Sequence, residues 1–181
     1  MTHRGGFHGD MPRRHITAPA LDLPALVELV ECVADEVRAG VHEVRADPNE
    51  RWHTRIHADD QVDVWLISWT RDQGTQLHDH GTSSGAFTVV EGSLDEAVWE
   101  AETRRLTETA RSVGDSVVFG ERYVHDVRNR REETAVSVHA YSPPLRQMSY
   151  YEVRRRRLVT LAHSWTDDPE APPPAHLRRA S

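Results

Sequence analysis

Residues 74–87, GTQLHDHGTSSGAF, place His78 and His80 one residue apart, between glycines and just after a hydrophobic run. Imidazole nitrogen is a common ligand for transition metals, and in a strand residues i and i+2 face one side. Such a pair can share one ion. With 12 His in 181 residues, chance supplies roughly one His-x-His somewhere in the chain, so the pair alone decides nothing. Two imidazoles also leave a metal unsaturated, and a third ligand must arrive from another strand. His125, in GDSVVFGERYVHDVRN, is the best-placed candidate. Gly85 and Gly92 follow His80 at steps of five and seven, and Gly114, Gly120, His125 and Asn129 follow one another at steps of six, five and four.

The elements that must hold these side chains begin with one helix, in LDLPALVELVECVADEVRAG. Asp22 can cap it, Pro24 suits its first turn and Gly40 can end it. Leu26, Leu29, Val30, Val33 and Val37 recur at helical spacing as one apolar stripe, with Cys32 packed at its margin. From about residue 52 the pattern becomes β. The runs 62–70, 86–92, 94–101, 115–120 and 133–142 are β-branched or aromatic and bounded by Gly, Pro, Asp and Ser. EGS at 91–93 reads as a hairpin turn. Many short strands after one helix predict a mostly β chain, an antiparallel sandwich or barrel.

Composition bounds the rest. A chain of 181 residues, 38% hydrophobic and 28% charged, fits one soluble globular domain. The net charge of −7 argues against a general nucleic-acid binder. RRRR at 154–157 reads as ordinary surface along a strand. A single cysteine allows no internal disulfide and fits a reducing compartment. There is no signal-peptide core and no apolar stretch near the ~20 residues needed to span a bilayer, so the expected location is the cytoplasm. Residues 1–20 read as a mobile arm, 21–165 as the domain and 166–181 as a disordered proline-rich tail.

The two histidine segments resemble the motifs of the cupin superfamily, where a His-x-His and a later His lie on facing strands of a small jelly roll. The resemblance implies a single-domain cupin jelly-roll β-barrel with the N-terminal helix packed outside. Each motif departs from the usual pattern. Gly85 stands where a glutamate is expected, and Gly120 and Arg122 replace the proline and glycine of the second motif. Without the carboxylate, three neutral imidazoles remain, a donor set suited to Fe(II) with an anionic thiolate and O2, whereas the common non-haem iron site includes a carboxylate. In this the chain is similar to the thiol dioxygenases, and especially to bacterial cysteine dioxygenases, from about Arg51 to Glu152. VWLISW, GTQLHDHG, GAFTVVEGSL, VHDVRN and SVHAYSPPL carry the likeness.

By position, the resemblance implies that His78, His80 and His125 hold the metal. Arg55 would bind the substrate carboxylate, with Arg51 as rival, and Trp69 and Ile67 would wall the pocket. Tyr141 would act on the reactants, oriented by Ser137 and His139, and the alternation of 137, 139 and 141 to one strand face agrees. Animal members crosslink the equivalent tyrosine to a cysteine, but Gly85 allows no thioether here. Ser142–Pro143 is a candidate cis bond. Asp79 and Gly81 read as structural, His53 and His57 as solvated, with His53 near the pocket mouth.

The expected function is Fe(II)-dependent oxidation of L-cysteine to cysteine sulfinic acid by a monomer, with the thiol and O2 as partners and no nucleic acid or membrane. The alternatives are a dioxygenase for 3-mercaptopropionate or another small thiol, a non-enzymatic cupin that binds a metal or ligand, and a zinc hydrolase.

Overall fold

The computed structural model describes residues 19–169; most of the expected arm and tail lies outside them. Helix α1 spans Leu23–Arg38. Asp22 caps it, its Oδ1 accepting from the Ala25 N–H at 2.9 Å, and Gly40 follows it with φ +76°. Eleven strands follow: β1 His53–Ala58, β2 Asp63–Trp69, β3 His78–Asp79, β4 Ser84–Glu91, β5 Ser93–Glu100, β6 Arg105–Ser112, β7 Ser116–Phe119, β8 His125–Arg128, β9 Ala135–Ser142, β10 Gln147–Arg154 and β11 Arg157–Trp165.

They form two antiparallel sheets, ordered β1-β2-β9-β4-β7 and β11-β10-β3-β8-β5-β6. The sheets pack as a sandwich and are not closed into a barrel by hydrogen bonds. The middle strands of the first sheet are buried on both faces. In β2, Trp65, Ile67 and Trp69 point between the sheets, while Val64 and Leu66 point at α1. In β9, Tyr141 lies in the inner core, while Val136, Val138 and Ala140 meet Leu26, Val30, Val33 and Val37 of the helix. The helix therefore covers the outer face of the sheet whose inner face carries the candidate residues. Leu26 is fully buried there, and truncating it to Ala would cost about 2–5 kcal/mol.

Several local expectations are corrected. Residues 91–93 are not a hairpin, because β4 and β5 lie in different sheets. Gly92, at φ +69°, carries the chain across, and a Cβ there would meet the Thr134 carbonyl oxygen at 2.8 Å. The arginine run is not one strand either: Arg155 and Arg156, at φ 50° and 62°, form the turn between β10 and β11. Cys32 is exposed rather than packed. The Ser142–Pro143 bond is cis, as expected. No helix among the described residues is long and apolar enough to cross a membrane.

Candidate metal centre

His78 lies on β3, His80 just beyond its end and His125 on the neighbouring β8, where His78 and His125 are Cα partners. One nitrogen from each lies within 4.8 Å of the others, and all three side chains are buried. The His78 and His80 Nε2 atoms are 3.2 Å apart.

Hydrogen bonds set the outward nitrogens. His78 Nδ1 donates to the Gln76 carbonyl at 2.7 Å, which leaves Nε2 with a free lone pair. His125 Nδ1 donates to Glu96 Oε1 at 3.0 Å, with the same consequence. Burial, joined by neighbouring His125 and then Arg51, drives the pKa of His78 well down; burial and the other two ligands do the same for His80. Both are neutral, as ligands must be. His80 Nδ1 is the one buried ring nitrogen without a hydrogen-bond partner among the described residues. Three buried imidazoles that converge in this way fit one metal ion.

Glu96 was not anticipated from the sequence. It is fully buried on β5 and accepts from His125, from Arg111 Nε and Nη2 at 2.9 and 2.7 Å, and from the Tyr123 hydroxyl at 3.0 Å. Burial pushes its carboxyl up, but the bonds and charges of His125 and Arg111 together outweigh this and hold it below the usual range. A carboxylate behind the ligand fixes the imidazole's orientation and raises its basicity.

The inner face of β9 supplies a second group. Trp69 Nε1 donates to Ser137 Oγ at 2.8 Å, and Ser137 Oγ lies 2.8 Å from His139 Nε2. The Ser137 hydroxyl thus accepts from the indole and is also hydrogen-bonded to His139 Nε2, which ties Trp69, Ser137 and His139 into one chain. Burial pushes His139 down to about 3, so it too is neutral. Phe87 stacks on it at 5.1 Å. Tyr141, two residues on, brings its ring within 4.7 Å of the His80 ring. Tyr141 thus stands beside the three-histidine cluster, Ser137 and His139 follow on the same strand face, Trp69 joins them through its indole N–H, and Ile67 lies in the same inner core.

Gly85 is the Cα partner of both Tyr141 and Phe119. A Cβ at Gly85 would lie 2.6 Å from Phe119 Cζ and 2.9 Å from the Ala140 carbonyl oxygen. Phe119 fills the space beside Tyr141 and stacks on His80 at 5.2 Å.

The two arginines sit differently. Arg55 is the Cα partner of Trp65, itself the partner of His139, so register sets Arg55 in the row of His139 at the edge of the sheet. Its guanidinium lies 4.5 Å over the Trp65 ring, and Nη2 donates to the Asp167 carbonyl at 2.7 Å and to Asp167 Oδ2 at 3.0 Å. Arg51 lies 4.7 Å over Trp69 and donates to the Gly74 carbonyl, and its charge reaches His78 and His139. His57 is half-exposed, whereas His53 is largely covered and stands 5.9 Å from Trp65. Asp79 accepts from Tyr151 at 2.6 Å and from the Gly81 N–H at 3.1 Å, the structural role expected of that pair.

Residues 20–154 match the family described as Cysteine dioxygenase type I. The chain belongs to this family. A curated relative, Cysteine dioxygenase type 1 from Danio rerio, is 28% identical over 103 residues, 52% of this chain and 51% of its own length. The chain thus spans about half the length of that relative. Among solved structures, TT1209 from Thermus thermophilus is similar at 19% identity and a TM-score of 0.49, over 55% of this chain and 90% of that one. An RmlC-like cupin protein from Desulfovibrio desulfuricans is similar at 17% identity and a TM-score of 0.48, over 58% and 93%. These two likenesses concern the path of the chain alone.

Proposed function

We propose that this cysteine dioxygenase family member is a thiol dioxygenase that converts L-cysteine and O2 to cysteine sulfinic acid, with ferrous iron held by His78, His80 and His125. The observation that carries the reading is the buried three-imidazole cluster with Tyr141 against His80 and Ser137 and His139 on the same face of β9. When bound, ferrous iron supplies the oxygen chemistry and favours the thiolate form of the substrate. The stoichiometry closes without a reductant, since both oxygen atoms of O2 end on the sulfur.

The chain's own residues do the rest. Arg55 receives the substrate carboxylate with a planar guanidinium fork that matches the two carboxylate oxygens. The carboxylate of Asp167 already lies on that fork. Tyr141 presents a phenol to the reacting groups from a buried position beside His80, and neutral His139, held by Ser137, fixes that face of β9. Phe87, Phe119, Trp65 and Trp69 keep bulk water out of the pocket.

Oxygen uptake by anaerobically iron-loaded protein, with L-cysteine and 3-mercaptopropionate compared side by side, tests the reading. Uptake matched by sulfinate, and faster with cysteine, is expected. Faster turnover of 3-mercaptopropionate would reassign the substrate. No uptake with any small thiol would leave a metal-binding protein without this activity, and uptake-free hydrolysis by the zinc form would favour a hydrolase.

A further inference from the structure

Beyond β11 the chain turns back over the open edge of the first sheet. The Thr166 N–H donates to the Arg146 carbonyl at 3.1 Å, Thr166 Oγ1 accepts from the Asp168 N–H at 3.0 Å, and Pro169 is buried. Two adjacent carboxylates are thereby set on two residues of β1. Asp167 takes Arg55 Nη2 through its carbonyl and through Oδ2. Asp168 Oδ2 lies 3.4 Å from His53 Nε2. Arg55 and His53 pair in register with Trp65 and Ile67, whose side chains lie in the inner core, so both stand on the site-facing side of the sheet. The Arg55 guanidinium holds the Asp167 carboxyl below its usual range.

We infer that residues 166–169 form a built-in competitor for the acid group of the substrate: Asp167 occupies Arg55 in the resting protein, and an incoming carboxylate must displace it. The inference rests on the thiol dioxygenase reading and on Arg55 as the carboxylate ligand. The exchange is one carboxylate for another, with no bond made or broken. It bears on acidic thiols alone, because a thiol without a carboxylate makes no use of Arg55 and neither displaces the segment nor is opposed by it. The contact is suited to exchange. Arg55 and Asp167 side chains are 34% and 61% exposed, so the ion pair is screened and weak.

Asp167→Asn keeps the carbonyl contact and removes the charge, and its exposed position leaves folding unaffected. Removing an exposed pair should lower the KM for L-cysteine about two- to fivefold at unchanged kcat. The KM for cysteamine, which has no carboxylate, should not move. Independently of turnover, L-cysteine added without oxygen should speed amide hydrogen exchange in the peptide covering 166–169, and cysteamine should not. Oxygen uptake by the wild type, together with an Asp167→Asn KM that stays or rises and exchange that cysteine leaves unchanged, would overturn the inference and leave the thiol dioxygenase reading intact. Absence of uptake with every carboxylated thiol would overturn both.

Discussion

Glu96 Oε1 stands 3.0 Å from His125 Nδ1, and the same fully buried carboxylate also takes both donors of Arg111 and the Tyr123 hydroxyl. His125 thus reaches the candidate metal position braced by a carboxylate on a second strand, itself held by a partly buried arginine. Glu96→Gln keeps the acceptor oxygen but removes the charge that makes the imidazole a better donor to metal. Metal affinity should fall about tenfold, the lower end of the range for such partners. Titration of the metal-free protein with Zn(II) or Co(II) measures it, and an unchanged dissociation constant would make Glu96 a purely structural carboxylate.

Gly85 and Phe119 share one volume. Because a Cβ at residue 85 would fall 2.6 Å from the Phe119 ring, Gly85→Ala must push that ring off His80. Overpacking of this kind costs about 1–3 kcal/mol, and metal affinity should fall with it. Thermal unfolding and metal titration of the variant read the two effects. The absence of a cysteine at this position also means that active preparations should run as one species on a denaturing gel, with no lag before full activity.

Asp63 is nearly fully buried, with Trp65 Nε1 donating to Oδ2 at 3.1 Å and no hydrogen-bond partner for Oδ1 among the described residues. Burial raises its pKa, outweighing the Trp65 bond and the charge of Arg55. A carboxyl raised in the folded state binds its proton more tightly than in the unfolded chain. Its contribution is therefore most favourable below the ordinary aspartate value, and is lost as pH rises from there through the folded pKa. Asp63→Asn should raise the melting temperature at pH 7 and leave it little changed near pH 3. A variant that melts below the wild type at pH 7 would mean that the charge is compensated.

How much of this was legible in the sequence follows from which signals are local. The helix announced itself through Asp22, Pro24 and a five-residue stripe, and β2 and β9 through apolar runs buried on both faces. The three-histidine cluster was visible because spacing encodes strand pairing. Strand β6, RLTETARS, is mostly exposed and has no apolar alternation, so nothing local marked it. Glu96 left one trace, a charge two residues after inward Leu94, but its partners His125 and Arg111 come from other strands. The Arg55–Asp167 contact joins residues 112 apart, which no local pattern reports.

The two arginines separate the carboxylate role by experiment. Register puts Arg55 in the row of His139, whereas the charge of Arg51 reaches His78 and His139 from over Trp69. If Arg55 holds the carboxylate, Arg55→Ala should raise the KM for L-cysteine by tens- to about a hundredfold, a loss of about 2–3 kcal/mol. Cysteamine should be much less affected. Arg51→Ala frees the Gly74 carbonyl and uncovers the Trp69 ring, so it should affect both thiols alike and lower thermal stability. Tyr141→Phe keeps the ring against His80 and removes only the hydroxyl, so KM should hold while kcat falls. A selective loss of carboxylated thiols in Arg51→Ala, with Arg55→Ala indifferent to the carboxylate, would exchange the two roles. It would also take away the premise that Asp167 competes with substrate, since the residue it occupies would then have no substrate to bind.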